Sequence, residues 1–299
     1  MPTPRRFAAV LVALLAAALV PGGCHRTVAS DGGAQPAATD AGRPAPAATR
    51  IVSLVPSATE LLFALGAGST VVGGSGYDDY PPETAHLPAV GGMINPSFEA
   101  IVALHPDALV GVQGPTRRDV LDRLQSMGVR ILFPQVESIA QVQTSIDLFA
   151  NLVHREDAAR ALHARIAGDI ARVRTAVQGR HRPRVLAVFS QRPMVVAGPG
   201  SWFDEILAIA GGENVVTGGR YPQVGIEQVL AWAPDYVFDL TWHEGHGALA
   251  DAWSGYATLP AVRDHHVVRI DDPVLIRQGP RIGQAATILA RALHPDAGL

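Results

Sequence analysis

The chain has 299 residues, of which 48% are hydrophobic and 17% are charged. This length can bury one or two cores of ordinary size, so the composition indicates a globular protein. The formal net charge is −3 and the arginines are scattered, which argues against a nucleic-acid partner.

The first residues have the pattern of an export signal. Arg5 and Arg6 precede an apolar run at residues 7–20, and Pro, Gly and Gly follow it. As a helix this run would span about 21 Å, which is short of the roughly 30 Å hydrocarbon core of a bilayer. We therefore predict a signal peptide at this end and no retained transmembrane anchor.

The only cysteine, Cys24, stands directly behind small residues. This arrangement resembles a bacterial lipoprotein site, although Pro21 occupies a position where that motif prefers leucine. We expect residues 1–24 to be a signal peptide that ends at a lipidated Cys24, with ordinary cleavage near Ala29 or Ala38 as the alternative. With one cysteine, no internal disulfide is possible.

Strands and helices alternate from residue 50 onward, which is typical of α/β proteins with parallel sheets. The first predicted lobe has strands at 50–55, 71–74, 108–112 and 129–133, and helices at 58–65, 95–104 and 117–127. Two long helices follow at 138–153 and 156–178. The second predicted lobe has strands at 184–189, 194–197, 236–240 and 267–270, and helices at 202–210, 227–232 and 281–293.

These elements predict two Rossmann-like lobes with central, mostly parallel sheets, joined by a long rigid α-helix, with a ligand cleft between the lobes. Residues 25–49 are rich in Ala, Pro, Gly, Asp and Thr, which predicts a disordered tether. The predicted divisions are a signal peptide (1–24), a tether (25–49), an N-terminal α/β lobe (50–137), a helical linker (138–180) and a C-terminal α/β lobe (181–299).

A local pattern occurs twice, 128 residues apart, in the two predicted lobes. Glu99, Ala103, Pro106 and Asp107 recur as Glu227, Ala231, Pro234 and Asp235. Each proline ends a helix before a buried strand, because proline cannot continue a helix interior. A looser echo relates residues 60–66 to residues 205–211, each ending at a glycine suited to a helix C-cap. The repeat predicts two lobes of similar construction.

Aromatic residues cluster in predicted loops after strand ends, where α/β proteins bind ligands. Only 6% of the residues are aromatic, yet Tyr77, Tyr80, Tyr221 and Trp242 all fall there. A flat, largely apolar ligand suits such side chains. Tyr80 followed by Pro81 is equally compatible with packing the loop against the core.

Several ordered motifs carry a specific resemblance. RIVSLVPSATELLFALG, GYDDYPPE, NPSFEAIVALHPDALV, YPQVGIEQVLAWAPD and IRQGPRI, over about residues 49–294, resemble the periplasmic cobalamin-binding proteins of ABC importers. That family belongs to a broader class with a helical backbone whose members also bind haem and iron-siderophores. The resemblance implies a periplasmic solute-binding protein, anchored by its lipid and acting as a monomer.

The resemblance also assigns roles to the repeated glutamates. It implies that Glu99 and Glu227 each dock on one subunit of an ABC permease dimer, which works with its ATPase, by pairing with permease arginines. A carboxylate in the first turn of a helix also interacts favourably with the helix dipole, which would explain both residues without a partner.

For the ligand, the resemblance places Tyr77, Phe189, Tyr221 and Arg277 at corrinoid-contacting positions. Arg277 would hydrogen-bond a propionamide or phosphate oxygen. Where a related cobalamin binder has tryptophans, this chain has Gly92 with Met93 at one position and Tyr221 at the other, which leaves haem or a modified corrinoid open as the ligand. A haem-binding or ferric-siderophore-binding protein of the same fold is the alternative function. The predicted ligand contacts are Tyr77, Met93, Phe189, Tyr221, Trp242 and Arg277.

Catalytic and metal-binding chemistry has little support in the sequence. The histidine pairs 243/246 and 265/266 lack the HExxH pattern that holds zinc, and neither a GxSxG elbow nor a GxxxxGK loop occurs. The carboxylate pairs 78/79 and 271/272 are typical of solvated turns. We expect no enzyme activity, no catalytic residue, no metal site and no cofactor, with a periplasmic hydrolase as a remote alternative.

Overall fold

The computed structural model describes residues 45–241 and 253–299 of the chain. The predicted signal peptide with Cys24, most of the predicted tether and Trp242 lie outside these residues. Within the described ranges, no helix is long and apolar enough to cross a membrane.

The first sheet is parallel throughout. Its strands are β1 (Ile51–Ser53), β2 (Val71–Gly73), β3 (Ala108–Val110) and β4 (Arg130–Leu132). Their order is β2-β1-β3-β4. Each described connection passes through a helix before the next parallel strand, as parallel pairing requires.

The second sheet repeats this layout with one addition. Its strands are β5 (Arg184–Gln191), β6 (Met194–Val196), β7 (Glu213–Asn214), β8 (Tyr236–Asp239) and β9 (Val267–Arg269). The order is β6-β5-β8-β9, and β7 pairs with β5. The β5-β6 hairpin is antiparallel and the other pairs are parallel. The predicted α/β fold with mostly parallel sheets is confirmed.

Helices flank both sheets. They are α1 (Pro56–Ala64), α2 (Phe98–Ala103), α3 (Arg118–Ser126), α4 (Ile139–Val153), α5 (Glu156–Val177), α6 (Trp202–Ile209), α7 (Ile226–Trp232), α8 (Pro260–Arg263) and α9 (Ile282–Leu293). Short 3-10 turns lie at Gly68–Thr70, Pro82–His86 and Pro273–Leu275. The sequence did not predict β7 or α8, which are too short to show a periodic pattern.

Serine caps set the start of three helices. The hydroxyls of Ser97, Ser138 and Ser201 each accept a hydrogen bond at 3.2 Å from the backbone N–H three residues later. These caps satisfy N–H groups that have no partner inside the helix. Helix α2 therefore begins at Phe98, three residues later than the sequence pattern predicts.

The linker consists of α4 and α5, separated by the left-handed residue His154 (φ 52°). Helix α4 packs on α1 of the first lobe and on α5, whereas α5 packs on α6 and α9 of the second lobe. With 22 residues, α5 is about 33 Å long. The linker is thus part of the packing of both lobes.

Strand residues alternate between an outer and an inner core in each lobe. In β1 and β5, Ile51 and Val185 belong to the largest buried cluster, which also takes in the linker helices. Their neighbours Val52 and Leu186 belong to separate clusters on the outer faces. This alternation follows from the two-residue period of a strand, and it joins the lobes through one shared inner core.

The sequence repeat has a structural counterpart at the start of each lobe. Asp107 accepts backbone hydrogen bonds from Thr49 (2.8 Å) and Arg50 (3.2 Å). Asp235 accepts one from Arg184 at 2.8 Å. Asp107 thus fixes the beginning of β1, and Asp235 fixes the beginning of β5. This shared geometry agrees with the prediction of two similarly built lobes.

The residues at the ends of α2 and α7 match as well. His105 (φ 47°) and Ala233 (φ 45°) both adopt positive φ before the repeated proline. Gly66 (φ 70°) and Gly211 (φ 82°) likewise end α1 and α6. A positive φ costs glycine little, so the glycines satisfy the predicted C-caps.

Ala48 shows where the folded part begins. Its side chain is buried and its N–H donates to the Leu152 carbonyl at 2.8 Å. Together with the bonds from Thr49 to Asp107, this contact fixes the chain before residue 50.

Candidate functional site

The candidate ligand residues within the described ranges lie at or after the carboxyl ends of parallel strands. Tyr77 and Met93 follow β2, Tyr221 follows β7, and Arg277 follows β9, while Phe189 lies in the second half of β5. Open α/β sheets bind ligands at this edge. The two lobes therefore present these residues on the side expected for a binding site.

Tyr77 is an exposed aromatic residue, with 73% of its surface accessible. Its backbone N–H donates to the Ser75 hydroxyl at 3.3 Å. A Cβ atom added to Gly92 would lie 3.2 Å from the Tyr77 ring, so the absence of a side chain at Gly92 leaves room for the ring. One ring edge is supported by protein while most of the ring remains open for contact.

Met93 fills space between two loops of the first lobe. A Cβ atom on Gly114 would lie 2.8 Å from the Met93 methyl carbon, and the half-buried side chain also packs against the main core. The next residue, Ile94, is 63% exposed. Ile94 was not predicted as a site residue, although an apolar residue in a loop beside Met93 was the available signal.

Phe189 and Tyr221 are brought together in the second lobe. Their rings make an edge contact with centroids 5.8 Å apart, and Phe189 makes another with Phe203 at 6.1 Å. Burial raises the pKa of the Tyr221 phenol, Glu137 adds to the rise, and the side chain of Gln278 offsets part of it. Tyr221 is 38% exposed, so an aromatic surface is accessible here too.

Four charged residues form what we call the interlobe charge cluster: Glu60, Asp79, Arg277 and Arg281. Arg281 donates to the Glu60 carboxylate from Nε (2.8 Å) and Nη2 (2.7 Å). Arg277 Nη1 donates to Glu60 Oε1 at 3.2 Å and also to Asp79 Oδ1, and its Nη2 donates to Asp79 Oδ2 at 2.9 Å. The cluster joins α1 and the β2 loop to the segment before α9.

Arg277 was predicted as a ligand contact from the family resemblance, but its protein partners were not predicted. A charged residue inside the apolar helix α1 was the available signal, because a buried carboxylate needs counter-charges. The Glu60 side chain is 1% exposed. Binding of a ligand oxygen by Arg277 stays a prediction.

The segment that carries Arg277 also connects the two exposed tyrosines. The Arg277 guanidinium lies 3.5 Å from the Tyr77 carbonyl oxygen, and the adjacent Gln278 interacts with the Tyr221 hydroxyl. A Cβ atom on Gly279 would lie 3.4 Å from Ser57 at the start of α1. Loops from both lobes thus converge on residues 277–279.

Glu99 and Glu227 occupy the first turns of α2 and α7, and both side chains are exposed. Ser97 caps α2, and the N–H of Gly225 before α7 donates to the Gln228 side-chain oxygen at 3.1 Å. Both helices start at the carboxyl edge of their sheet. The carboxylates are therefore accessible on the same edge as the candidate ligand residues.

Comparison with known proteins gives a family match over residues 51–274, to the family described as periplasmic binding protein. The chain belongs to the periplasmic binding protein family. It is 30% identical to the vitamin B12-binding protein of Salmonella paratyphi A over 236 residues, which cover 78% of this chain and 86% of the relative.

Solved structures of the family share its fold. The apo haem-binding protein RhuT from Roseiflexus sp. RS-1 matches with a TM-score of 0.75 and 31% identity, covering 83% of this chain and 98% of RhuT. The vitamin B12-binding protein BtuF of Vibrio cholerae matches with a TM-score of 0.71 and 27% identity, covering 84% and 99%. The predicted family resemblance and the predicted two-lobed fold are confirmed.

Family membership supports the predicted periplasmic location and a binding function. Lipidation of Cys24 stays a prediction, and Cys24 lies outside the described residues. Trp242, His243 and His246 also lie outside them.

Two of the remaining polar candidates, Asp272 and His266, make contacts within the protein. Asp272 Oδ1 accepts from the Val274 N–H at 3.0 Å, and His266 stacks on Tyr236 with ring centroids 4.2 Å apart. The expectation of a solvated turn is wrong for Asp78, because both of its carboxylate oxygens are buried and neither has a hydrogen-bond partner in the part of the chain that the structure describes. This burial raises the pKa of the Asp78 carboxyl. Among the described residues, no three His, Cys, Asp or Glu side chains form a group that could hold a metal ion.

Proposed function

We propose that this periplasmic binding protein captures cobalamin or a related corrinoid and delivers it to an ABC permease. The observation that carries the proposal is the pair of accessible aromatic surfaces, Tyr77 on one lobe and Tyr221 on the other, at the binding edge of the two sheets. A macrocycle with two apolar faces matches such a pair. The vitamin B12-binding relative supports the same ligand class.

Haem is the second candidate ligand. The identity to haem-binding RhuT is 31%, and that to B12-binding BtuF is 27%, so the comparisons favour neither strongly. Both ligands are flat macrocycles that the aromatic surfaces could contact. They differ at the rim, where the corrin carries neutral amides and haem carries two carboxylates.

A direct titration tests the ligand. Purified mature protein is titrated with cyanocobalamin, cobinamide and hemin, with binding followed by calorimetry and by absorbance. We expect saturable binding of a corrinoid at one site per chain, tighter than that of hemin. Hemin binding without corrinoid binding would replace the first candidate by the second.

Two variants locate the site. Tyr77→Ala and Tyr221→Ala should each weaken corrinoid binding about tenfold, as expected for aromatic residues central to an interface. Met127→Ala is the matched control, because Met127 is 56% exposed but precedes β4 at the opposite sheet edge. Equal affinities for all three variants would contradict the proposed site.

Permease docking is assigned to Glu99 and Glu227, one on each lobe. Two equivalent lobes that face two equivalent subunits need a charge on each, and both carboxylates are exposed at equivalent helix starts. Reversing both charges, Glu99→Lys with Glu227→Lys, should abolish corrinoid uptake in the native host and leave corrinoid affinity unchanged. Glu156→Lys, at the exposed first turn of α5, is the control. Loss of ligand affinity would refute the docking role.

A further inference from the structure

The interlobe charge cluster is electrically balanced. It contains two arginines and two carboxylates, so its formal charge is +2 − 2 = 0. The Glu60 carboxylate receives both guanidinium groups, and Asp79 takes two donors of Arg277. The family resemblance assigns Arg277 to the ligand, but carboxylates of the protein already neutralise its charge.

The four members differ in accessibility. The side chains of Glu60, Arg277 and Arg281 are 1%, 13% and 15% exposed, whereas Asp79 is 54% exposed. Asp79 lies two residues after Tyr77, whose ring is open to solvent. A ligand held against Tyr77 would thus meet the cluster through the Asp79 carboxylate.

Asp79 remains ionised at neutral and mildly acidic pH. Its hydrogen bonds to Arg277 lower the pKa of the carboxyl below its usual range, because the guanidinium stabilises the charged form. The group a ligand meets is thus an anion that accepts hydrogen bonds and donates none.

The chemistry of the ligand rim decides how it interacts with this anion. A side-chain amide can donate an N–H to the outer face of the Asp79 carboxylate and leave the Asp79–Arg277 pair intact. A carboxylate cannot donate, is repelled by the like charge, and gains Arg277 only by displacing Asp79. The arrangement therefore distinguishes neutral from anionic rims.

We propose that Asp79 is a specificity-determining residue that selects ligands with a neutral, amide-bearing rim over ligands with a carboxylate rim. The inference rests on the proposed function, because it concerns the ligand proposed there. Asp79, the protein partner of Arg277, would therefore discriminate between the two kinds of ligand, and Arg277 itself would not. Opposing a like charge to the wrong ligand is a common means of specificity.

The test compares ligands that differ by one charge. Cyanocobalamin and its isomeric monocarboxylic acids, each with one peripheral amide converted to a carboxylate, are titrated against the wild-type protein and Asp79→Asn. The measured quantity is the ratio of the dissociation constants of acid and amide on one protein preparation, which cancels any difference in the folded fraction. Asp79→Asn should lower this ratio at least fivefold for at least one isomer, because the repulsion is removed.

Two controls accompany the variant. Asp79→Glu restores the charge and should keep the wild-type ratio. Asp264→Asn removes a carboxylate that pairs with Arg263 at 2.7 and 2.8 Å but precedes β9 at the opposite sheet edge, so it should leave the ratio unchanged.

The outcomes are distinct. If wild-type protein binds cyanocobalamin and no isomer shows a fivefold change with Asp79→Asn, the inference is overturned while the proposed function stands. An equal change with Asp264→Asn would also overturn it, because the effect would be long-range. If wild-type protein binds neither cyanocobalamin nor its acids, both the proposed function and the inference are wrong.

Discussion

Glu60 on α1 and Glu205 on α6 stand at equivalent places in the two lobes, each six residues before a left-handed glycine. Glu60 is buried and binds two arginines of the other lobe. Glu205 Oε2 accepts one hydrogen bond, at 2.8 Å, from the Ile139 N–H at the start of α4. The two lobes share one scaffold, but the equivalent glutamates have different partners: Glu60 binds two arginines of the other lobe, and Glu205 binds the backbone of linker helix α4.

The largest expected effect comes from removing the charge of Glu60, with the equivalent change at Glu205 as the comparison. Glu60→Gln should destabilise the protein by about 3 kcal/mol, because two largely buried guanidinium groups lose their shared counter-charge. Glu205→Gln should cost about 1 kcal/mol or less, because the amide oxygen can still accept from Ile139. Urea denaturation measures both. Equal losses would show that the two positions are equivalent in energy as well as in place.

Replacing either of two aspartates at the binding edge by asparagine should change the stability of the protein, in opposite directions. Asp239 in the second lobe is fully buried and accepts from the Thr241 N–H (2.9 Å), the Thr241 hydroxyl (2.6 Å) and Gln191 (2.8 Å). Asp239→Asn should cost about 2 kcal/mol, because its amide nitrogen would face a donor. Asp78→Asn in the first lobe should stabilise the protein at pH 7.

The sign for Asp78 follows from its raised pKa. The folded protein holds this proton more tightly than the unfolded chain, whose pKa is near 3.8, so stability falls as the pH rises through the interval between the two values. The gain from Asp78→Asn should therefore be fully present above that interval and shrink as the pH falls towards 3.8. Thermal melts between pH 4 and 8 measure it, and a gain independent of pH would contradict the assignment.

The smallest expected effect concerns the left-handed residues that end α2 and α7. Ala233→Gly and His105→Gly should each stabilise the protein by up to about 1 kcal/mol, because both positions have positive φ. Ala231→Gly, inside α7, should instead cost about 1 kcal/mol. Guanidinium denaturation measures all three. If only one of these two substitutions raised the free energy of unfolding, the two positions would be equivalent in sequence and backbone angle but not in energy.

The elements that could be predicted were those with strong local signals. The two linker helices were placed within a residue of their ends because an apolar face recurs over many turns, and the repeated prolines marked the start of β3 and β8. The two residues of β7 and the four of α8 carry no periodic signal. The antiparallel direction of β6 does have a local signal, because the connection from Gln191 to Met194 is too short for the crossover that a parallel strand needs.

The sequence by itself determined the duplicated α/β construction, the family and the aromatic character of the candidate site, because these depend on residue types and their spacing along the chain. Only the tertiary structure decided that Arg277 is neutralised by Glu60 and Asp79, that Phe189 meets Tyr221, and that residues 277–279 join both lobes. Glu60 and Arg277 are 217 residues apart. Such a pair forms only when the two lobes pack together, and the sequence around Glu60 does not indicate which distant charge will lie beside it.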